Sequence, residues 1–210
     1  VKNYKKYNSI VNFYNNTIKK YGTTNKGLAW ESKKKNDLRY FSIFKVINKK
    51  KISKINILDF GCGISGIYDF LKKKKLSFNY TGLDTSQKAI DFCKKKYKKN
   101  KYIRINILKE KKSIGKFDII IMNGIFTIRN RMSERQMYDY IMLILQKLKR
   151  SANGKIIINF FIENPEWKNE KNFYPNYKKL TNLIKEKITK KIRIIKLEKI
   201  FENILVLDLQ

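Results

Sequence analysis

The sequence predicts an α/β fold built on a doubly wound, mostly parallel sheet, and three observations carry that expectation. The apolar run Lys54-Ile55-Asn56-Ile57-Leu58 leads into Asp59-Phe60-Gly61-Cys62-Gly63-Ile64-Ser65-Gly66, an acidic strand end followed by a glycine turn. Ile64 to Lys75 then places Ile67, Phe70 and Leu71 at helical spacing, so strand, turn and helix make half of a βαβ unit. The second strand, Phe78-Asn79-Tyr80-Thr81-Gly82-Leu83-Asp84, ends in a carboxylate 25 positions beyond Asp59. In doubly wound sheets both strand ends open onto one crevice.

The elements follow in order. Residues 3–20 and 32–50 read as helices flanking a glycine-containing connector from Tyr21 to Gly27, which predicts an N-terminal helical cap at 1–54 ahead of a core at 55–210. The core alternates: strand 55–60, helix 64–75, strand 78–84, helix 86–99, strand 101–106, strand 117–123, helix 133–150 and strand 155–162. Ser133-Glu134-Arg135-Gln136 is a capping box, and Met137, Ile141, Ile144, Leu145 and Leu148 form one apolar helical face. A polar stretch through Glu163-Asn164-Pro165-Glu166-Trp167 precedes a helix near 175–189. Two closing strands, 191–198 and 202–209, are so close together that they must pair as an antiparallel hairpin.

Length and composition set the class. At 210 residues and 42% hydrophobic, the chain is expected to form one structural domain. No apolar run approaches the ~20 residues needed to span a bilayer, and the N-terminal stretch lacks an apolar signal segment, so a cytoplasmic protein without a membrane span is expected. Two cysteines, Cys62 and Cys93, give neither a disulfide framework nor metal-ligand spacing, and no metal is expected. The charge is extreme, with 49 Lys+Arg against 17 Asp+Glu for a net +32. Such a field attracts phosphate backbones. The excess is mostly lysine, however, in runs at 33–35, 49–51, 72–75, 94–96 and 109–112, and it accompanies abundant Asn, Ile, Tyr and Phe. That is the mixture an AT-rich coding sequence produces, so nucleic acid ranks behind other partners.

The glycine turn narrows the ligand. A dinucleotide would bring a pyrophosphate, which favours helix N-terminal N–H groups without a neighbouring anion. Here Asp59 stands two residues before the first glycine, which suits an ammonium such as that of the methionine moiety of S-adenosylmethionine. Asp84 would hold ribose hydroxyls in either case.

On these residues the chain resembles the class I S-adenosylmethionine-dependent methyltransferases. The matching segments are Ile57-Leu58-Asp59-Phe60-Gly61-Cys62-Gly63, Tyr80-Thr81-Gly82-Leu83-Asp84-Thr85-Ser86 and Lys116-Phe117-Asp118-Ile119-Ile120-Ile121-Met122-Asn123-Gly124. Tyr21-Gly22 to Trp30, with Arg39, is also similar to a group of small bacterial methyltransferases that share a Gly, Trp and Arg ahead of the first core strand. The resemblance implies a seven-stranded Rossmann-like sheet with a C-terminal antiparallel hairpin, S-adenosyl-L-methionine as donor and S-adenosyl-L-homocysteine as product. It implies donor contacts from Asp59, Gly61, Cys62, Gly63 and Gly66, ribose contacts from Asp84, and Thr85 near the adenine. Asn106, with Ile107 beside it, stands where the family commonly places an Asp that accepts from the adenine amine; an amide oxygen can accept the same bond. Asn123 and Gly124 would line the space around the reactive methyl, Arg39 would pair with the donor carboxylate, and Trp30 would cover the donor as part of a lid.

The expected chemistry is an in-line displacement in which the enzyme aligns acceptor, methyl and sulfur. The chain contains no histidine, so a general base would have to be Asp, Glu, Tyr, Lys or water. Glu163 and Glu166, just after the fifth strand, are the weak candidates, and no catalytic residue is otherwise assigned. Phe126 could stack on a planar acceptor. The prolines of the Asn/Asp-Pro-Pro-aromatic motif of nucleobase amine methyltransferases are missing from Asn123-Gly124-Ile125-Phe126, which disfavours base methylation of DNA. A small-molecule acceptor such as a metabolite, natural product or envelope-sugar precursor is therefore the leading expectation. RNA methylation and a non-catalytic donor-binding module are the alternatives.

Overall fold

The structure is a computed structural model that describes residues 7–30, 32–47, 54–110 and 113–210. Its strands are β1 (Ile55–Phe60), β2 (Phe78–Asp84), β3 (Lys101–Arg104), β4 (Phe117–Met122), β5 (Ala152–Phe161), β6 (Ile192–Leu197) and β7 (Glu202–Asp208). They form one seven-stranded sheet in the order β3-β2-β1-β4-β5-β7-β6. The β1–β2, β2–β3, β1–β4 and β4–β5 pairs are parallel, and β7 runs antiparallel to both β5 and β6. The hairpin is closed by a 3₁₀ turn at Glu198–Ile200 and by Phe201 in the left-handed region at φ 56°.

The helices are α1 (Asn8–Tyr21), α2 (Lys33–Ile47), α3 (Gly66–Lys73), α4 (Gln87–Lys96), α5 (Glu134–Lys149) and α6 (Tyr177–Lys187). Strand periodicity sorts the core into two layers. Ile57, Ile121, Ile157 and Ile204 face a cluster with Ile43 of α2, Leu71 of α3 and Ile90 of α4. Leu58, Ile120, Ile158 and Leu205 face the other side, where α5, α6 and Ile10 of α1 pack. Both faces of the central strands are thus covered, as their near-continuous apolar sequences require.

The element ends differ from expectation where local hydrogen bonding decides. β3 stops at Arg104 because Asn106 turns the chain, its Oδ1 accepting from Leu108 N at 3.1 Å. β5 begins at Ala152, earlier than its polar start suggests, because Ala152 pairs with Phe117 across an irregularity in the β4–β5 ladder. α5 carries the capping box, Ser133 Oγ accepting from Gln136 N and Gln136 Oε1 from Ser133 N. The first residues of the helix expected at 3–20, the last of that expected at 32–50, and Lys49 to Lys51, Lys111 and Lys112 of the lysine runs lie outside the described residues. No helix among the described residues is long and apolar enough to cross a membrane.

Candidate active site

The C-terminal ends of β1, β2 and β4 meet in a cavity of about 130 Å³, and α1, the 22–30 connector and Tyr40 of α2 wall its other side. Of the residues expected to contact the donor, the cavity is lined by Asp59, Gly61, Cys62, Gly63, Gly66, Asp84, Thr85, Asn106, Ile107, Asn123, Gly124 and Trp30. Residues from five separate segments are brought together, four by the sheet order and Trp30 by the connector between α1 and α2.

The two carboxylates differ in setting. Asp84 accepts from Gly63 N at 2.9 Å and from Ser86 N at 2.8 Å, so it braces the glycine turn as well as facing the cavity. Burial raises its pKa, partly opposed by those backbone N–H groups. Asp59 is 3% exposed and accepts from Tyr80 Oη at 2.5 Å. Burial pushes its pKa up to about 7, the Tyr80 hydrogen bond pulls it down, and Asp84 adds a smaller upward push. Its charge therefore depends on what binds beside it.

Two glycines are required by the backbone and by their neighbours. Gly63 sits at φ 51°, and a Cβ there would lie 2.8 Å from Leu28 Cδ2. Gly124 sits at φ 80°, and a Cβ would lie 2.5 Å from Trp30 Cζ2. Cys62 is packed: Cys93 Sγ first and burial second hold its thiol well above the ordinary range, which makes it a neutral spacer. Asn106 lines the cavity, but the oxygen that would meet an adenine amine already accepts from Leu108 N and keeps one lone pair for the purpose. Asn123 Oδ1 is, among the described residues, the one buried side-chain polar atom with no hydrogen-bond partner. A buried acceptor left unpaired is costly, and its place on the cavity wall fits a ligand that donates to it.

Four expected site residues lie elsewhere. Arg39 does not line the cavity; it is 4% exposed, forks onto both oxygens of Glu202 and donates to Asn36 Oδ1 at 2.6 Å. Three of its five N–H donors are taken inside the fold, and the side chain is committed to Glu202 and Asn36 away from the cavity wall. Phe126 is fully buried, stacked on Phe160 at 5.7 Å and edge-on to Tyr140, so it is core and not an acceptor platform. Glu163 caps α6, accepting from Asn176 Nδ2 at 2.6 Å and Tyr177 N at 3.3 Å. Glu166 is exposed and, like Glu163, is not on the cavity wall. For Arg39, Phe126 and Glu163 a nearer partner within the fold claims the side chain.

The sequence reading missed Tyr14, Leu28, Tyr40, Ile125 and Tyr140, which also line the cavity. Their apolar spacing marks them only as core. It also missed Asn159 and Glu202, buried polar residues that hold the end of β4 from behind. Asn159 left a signal as a polar side chain near the end of an apolar strand, whereas Glu202, at the polar start of β7, left none.

The sheet order, the antiparallel β7 and a glycine turn between two strand-end carboxylates define a Rossmann-like methyltransferase fold. Residues 58–143 match the family model for a methyltransferase domain. Among solved structures, the chain is similar to magnesium protoporphyrin IX methyltransferase from Synechocystis PCC 6803, with bound S-adenosylmethionine, at 11% identity and TM-score 0.61 over 83% of this chain and 80% of that one. It is also similar to PH0226 from Pyrococcus horikoshii OT3 (15% identity, TM-score 0.60, 86% and 93% covered). A methyltransferase from Aquifex aeolicus resembles it comparably (13% identity, TM-score 0.60, 85% and 94% covered). A comparison with curated proteins gives no match. The family match over residues 58–143 falls on the glycine turn and the strands around the cavity, and the chain as a whole has the fold of these solved methyltransferases.

Proposed function

We propose that the protein methylates a small-molecule acceptor without a phosphate chain, held against the end of β4. One observation carries this reading: although the chain bears a net charge of +32, no Lys or Arg is among the described residues that line the cavity. The lysines sit on the helices of both faces, exposed at Lys72 to Lys75 of α3 and its C-terminal end, Lys94 to Lys96 of α4, and Lys178, Lys179, Lys185 and Lys187 of α6. They do not converge on the site as a phosphate-binding track would. The Synechocystis neighbour named for a porphyrin substrate gives the reading general support.

When bound, S-adenosylmethionine supplies a methyl group already activated on a sulfonium. Asp59 would meet its ammonium and Asp84 its ribose, while the Gly61 to Gly66 turn lets the chain approach closely. Residues 1–54 act in this reading as a cap on the core at 55–210, since Tyr14, Leu28, Trp30 and Tyr40 all reach the cavity wall. Asn123, Gly124, Trp30 and Tyr14 close the end at β4, exclude water and orient the acceptor. Tyr14 is pushed up to about 12 by burial and stays protonated at neutral pH, so it can position but not deprotonate.

The Asp59 pairing makes donor binding pH-dependent. With its pKa near 7 in the free protein, Asp59 must lose its proton to pair with an ammonium. Affinity is therefore expected to be level above pH 7 and to fall about tenfold per unit below it, with proton uptake or release visible in calorimetric titrations run in two buffers. An affinity flat from pH 5 to 8 removes Asp59 from ammonium recognition.

The acceptor class is tested with labelled S-adenosylmethionine in cell extract divided by nuclease treatment and by size. Label in the small, nuclease-resistant fraction is expected. Label that nuclease releases would replace the small-molecule reading with RNA methylation, and donor binding without transfer in any fraction would point to a non-catalytic module.

A further inference from the structure

We infer that Arg39, Glu202 and Asn159 form a buried relay that sets the position of Trp30 and Gly124 on the cavity wall, so that the cap and the C-terminal hairpin jointly shape the site. Arg39 of α2 places its guanidinium over the Trp30 ring, 4.3 Å from the centroid, and forks onto Glu202 at the start of β7. Glu202 Oε2 accepts from Asn159 Nδ2 of β5 at 2.9 Å, and Asn159 Oδ1 accepts from Gly124 N at 2.6 Å. Gly124 packs directly beneath Trp30, which closes the ring of contacts. From the front, Gly124 O accepts from Tyr14 Oη at 2.9 Å and from Thr127 Oγ1 at 3.1 Å.

The arrangement is more than a stabilising ion pair. Taking two charges out of water costs about as much as their attraction returns, so an apolar pair of similar volume would serve stability equally well. An apolar pair would not fix the plane of Trp30 or the direction of the Gly124 N–H. A fork does both, because Arg presents its donors in one rigid plane that also stacks on an aromatic face. Asn159 uses both ends of its amide, which ties the orientation of Glu202 to that of the turn. The backbone at Gly124, at φ 80°, is then held through its N–H, its carbonyl and its open Cα face. Arg39, Glu202 and Asn159 touch no ligand in this scheme; they are positioning residues acting through Trp30 and Gly124.

The inference rests on reading this cavity as the donor site, and the test separates the two. Trp30 is observed alone in a Trp167→Phe background, using acrylamide quenching, thermal unfolding and binding of S-adenosylhomocysteine. Arg39→Lys keeps a cation opposite Glu202 but loses the fork and the guanidinium over the Trp30 ring. It is expected to raise the Trp30 quenching constant at least about twofold and weaken S-adenosylhomocysteine about tenfold at a temperature where the variant is still folded, with a lowered thermal midpoint from the acceptors left unpaired on Asn36 and Glu202. Asn36→Ala, which removes only the Nη1 contact, is expected to move both readouts the same way but less, and it carries the test if Arg39→Lys does not fold. Folded variants that keep Trp30 shielded, or that loosen Trp30 without any change in affinity, would overturn the relay. A background protein that fails to bind S-adenosylhomocysteine, yet whose Trp30 is loosened by Arg39→Lys, would support the relay as a structural clamp and overturn the donor assignment.

Discussion

Asp84→Ala is expected to weaken S-adenosylhomocysteine binding by about 100-fold or more, the largest functional effect of any single substitution in the cavity. Two contributions add. The proposed bonds from ribose hydroxyls to a carboxylate are charge-assisted, at about 1.5–3 kcal/mol each. The same carboxylate accepts from Gly63 N and Ser86 N, so its removal frees the glycine turn that the ligand must approach. Asp84→Asn keeps one acceptor oxygen and should recover part of the loss. Isothermal titration with S-adenosylhomocysteine, beside a thermal melt to confirm folding, measures both. An Asp84→Ala protein that is folded and binds within about threefold of the parent would exclude Asp84 from the ribose site.

Phe126→Ala is expected to cost about 3–5 kcal/mol of stability, the largest structural effect among the residues considered. The ring has no solvent exposure, stacks on Phe160 with planes 10° apart and meets Tyr140 edge-on, so truncation leaves a void between β4, β5 and α5. A denaturant titration reads the effect as a lower midpoint with an unchanged slope. A surface that grips a planar acceptor would behave in the opposite way, with stability preserved and acceptor KM raised. The two outcomes discriminate core from platform at a position where sequence alone allows either.

The same ambiguity recurs wherever a side chain has more than one suitor. The glycine turn, Asp59 and Asp84 were legible because their spacing is set by local geometry: a strand must end, the chain must turn, and only certain residues permit the turn. Asn123, Gly124 and Trp30 were legible for their place at a strand end or ahead of the core. Arg39 was visible as a residue of interest, yet its partner Glu202 lies 163 positions away and only the antiparallel return of β7 brings it close. Glu163 read as a loop acid near the site, and the helix that it caps begins 14 residues later at Tyr177.

The sequence by itself determined the strands and helices, the closing hairpin and the glycine turn, because periodicity, glycine placement and capping are properties of neighbours along the chain. Tertiary structure alone decided which polar groups are left for a ligand. Arg39, Glu202, Asn159 and Glu163 each bind a partner that the fold brings near, while Asn123 Oδ1 is left without one, and nearness across a folded sheet is not written in linear spacing.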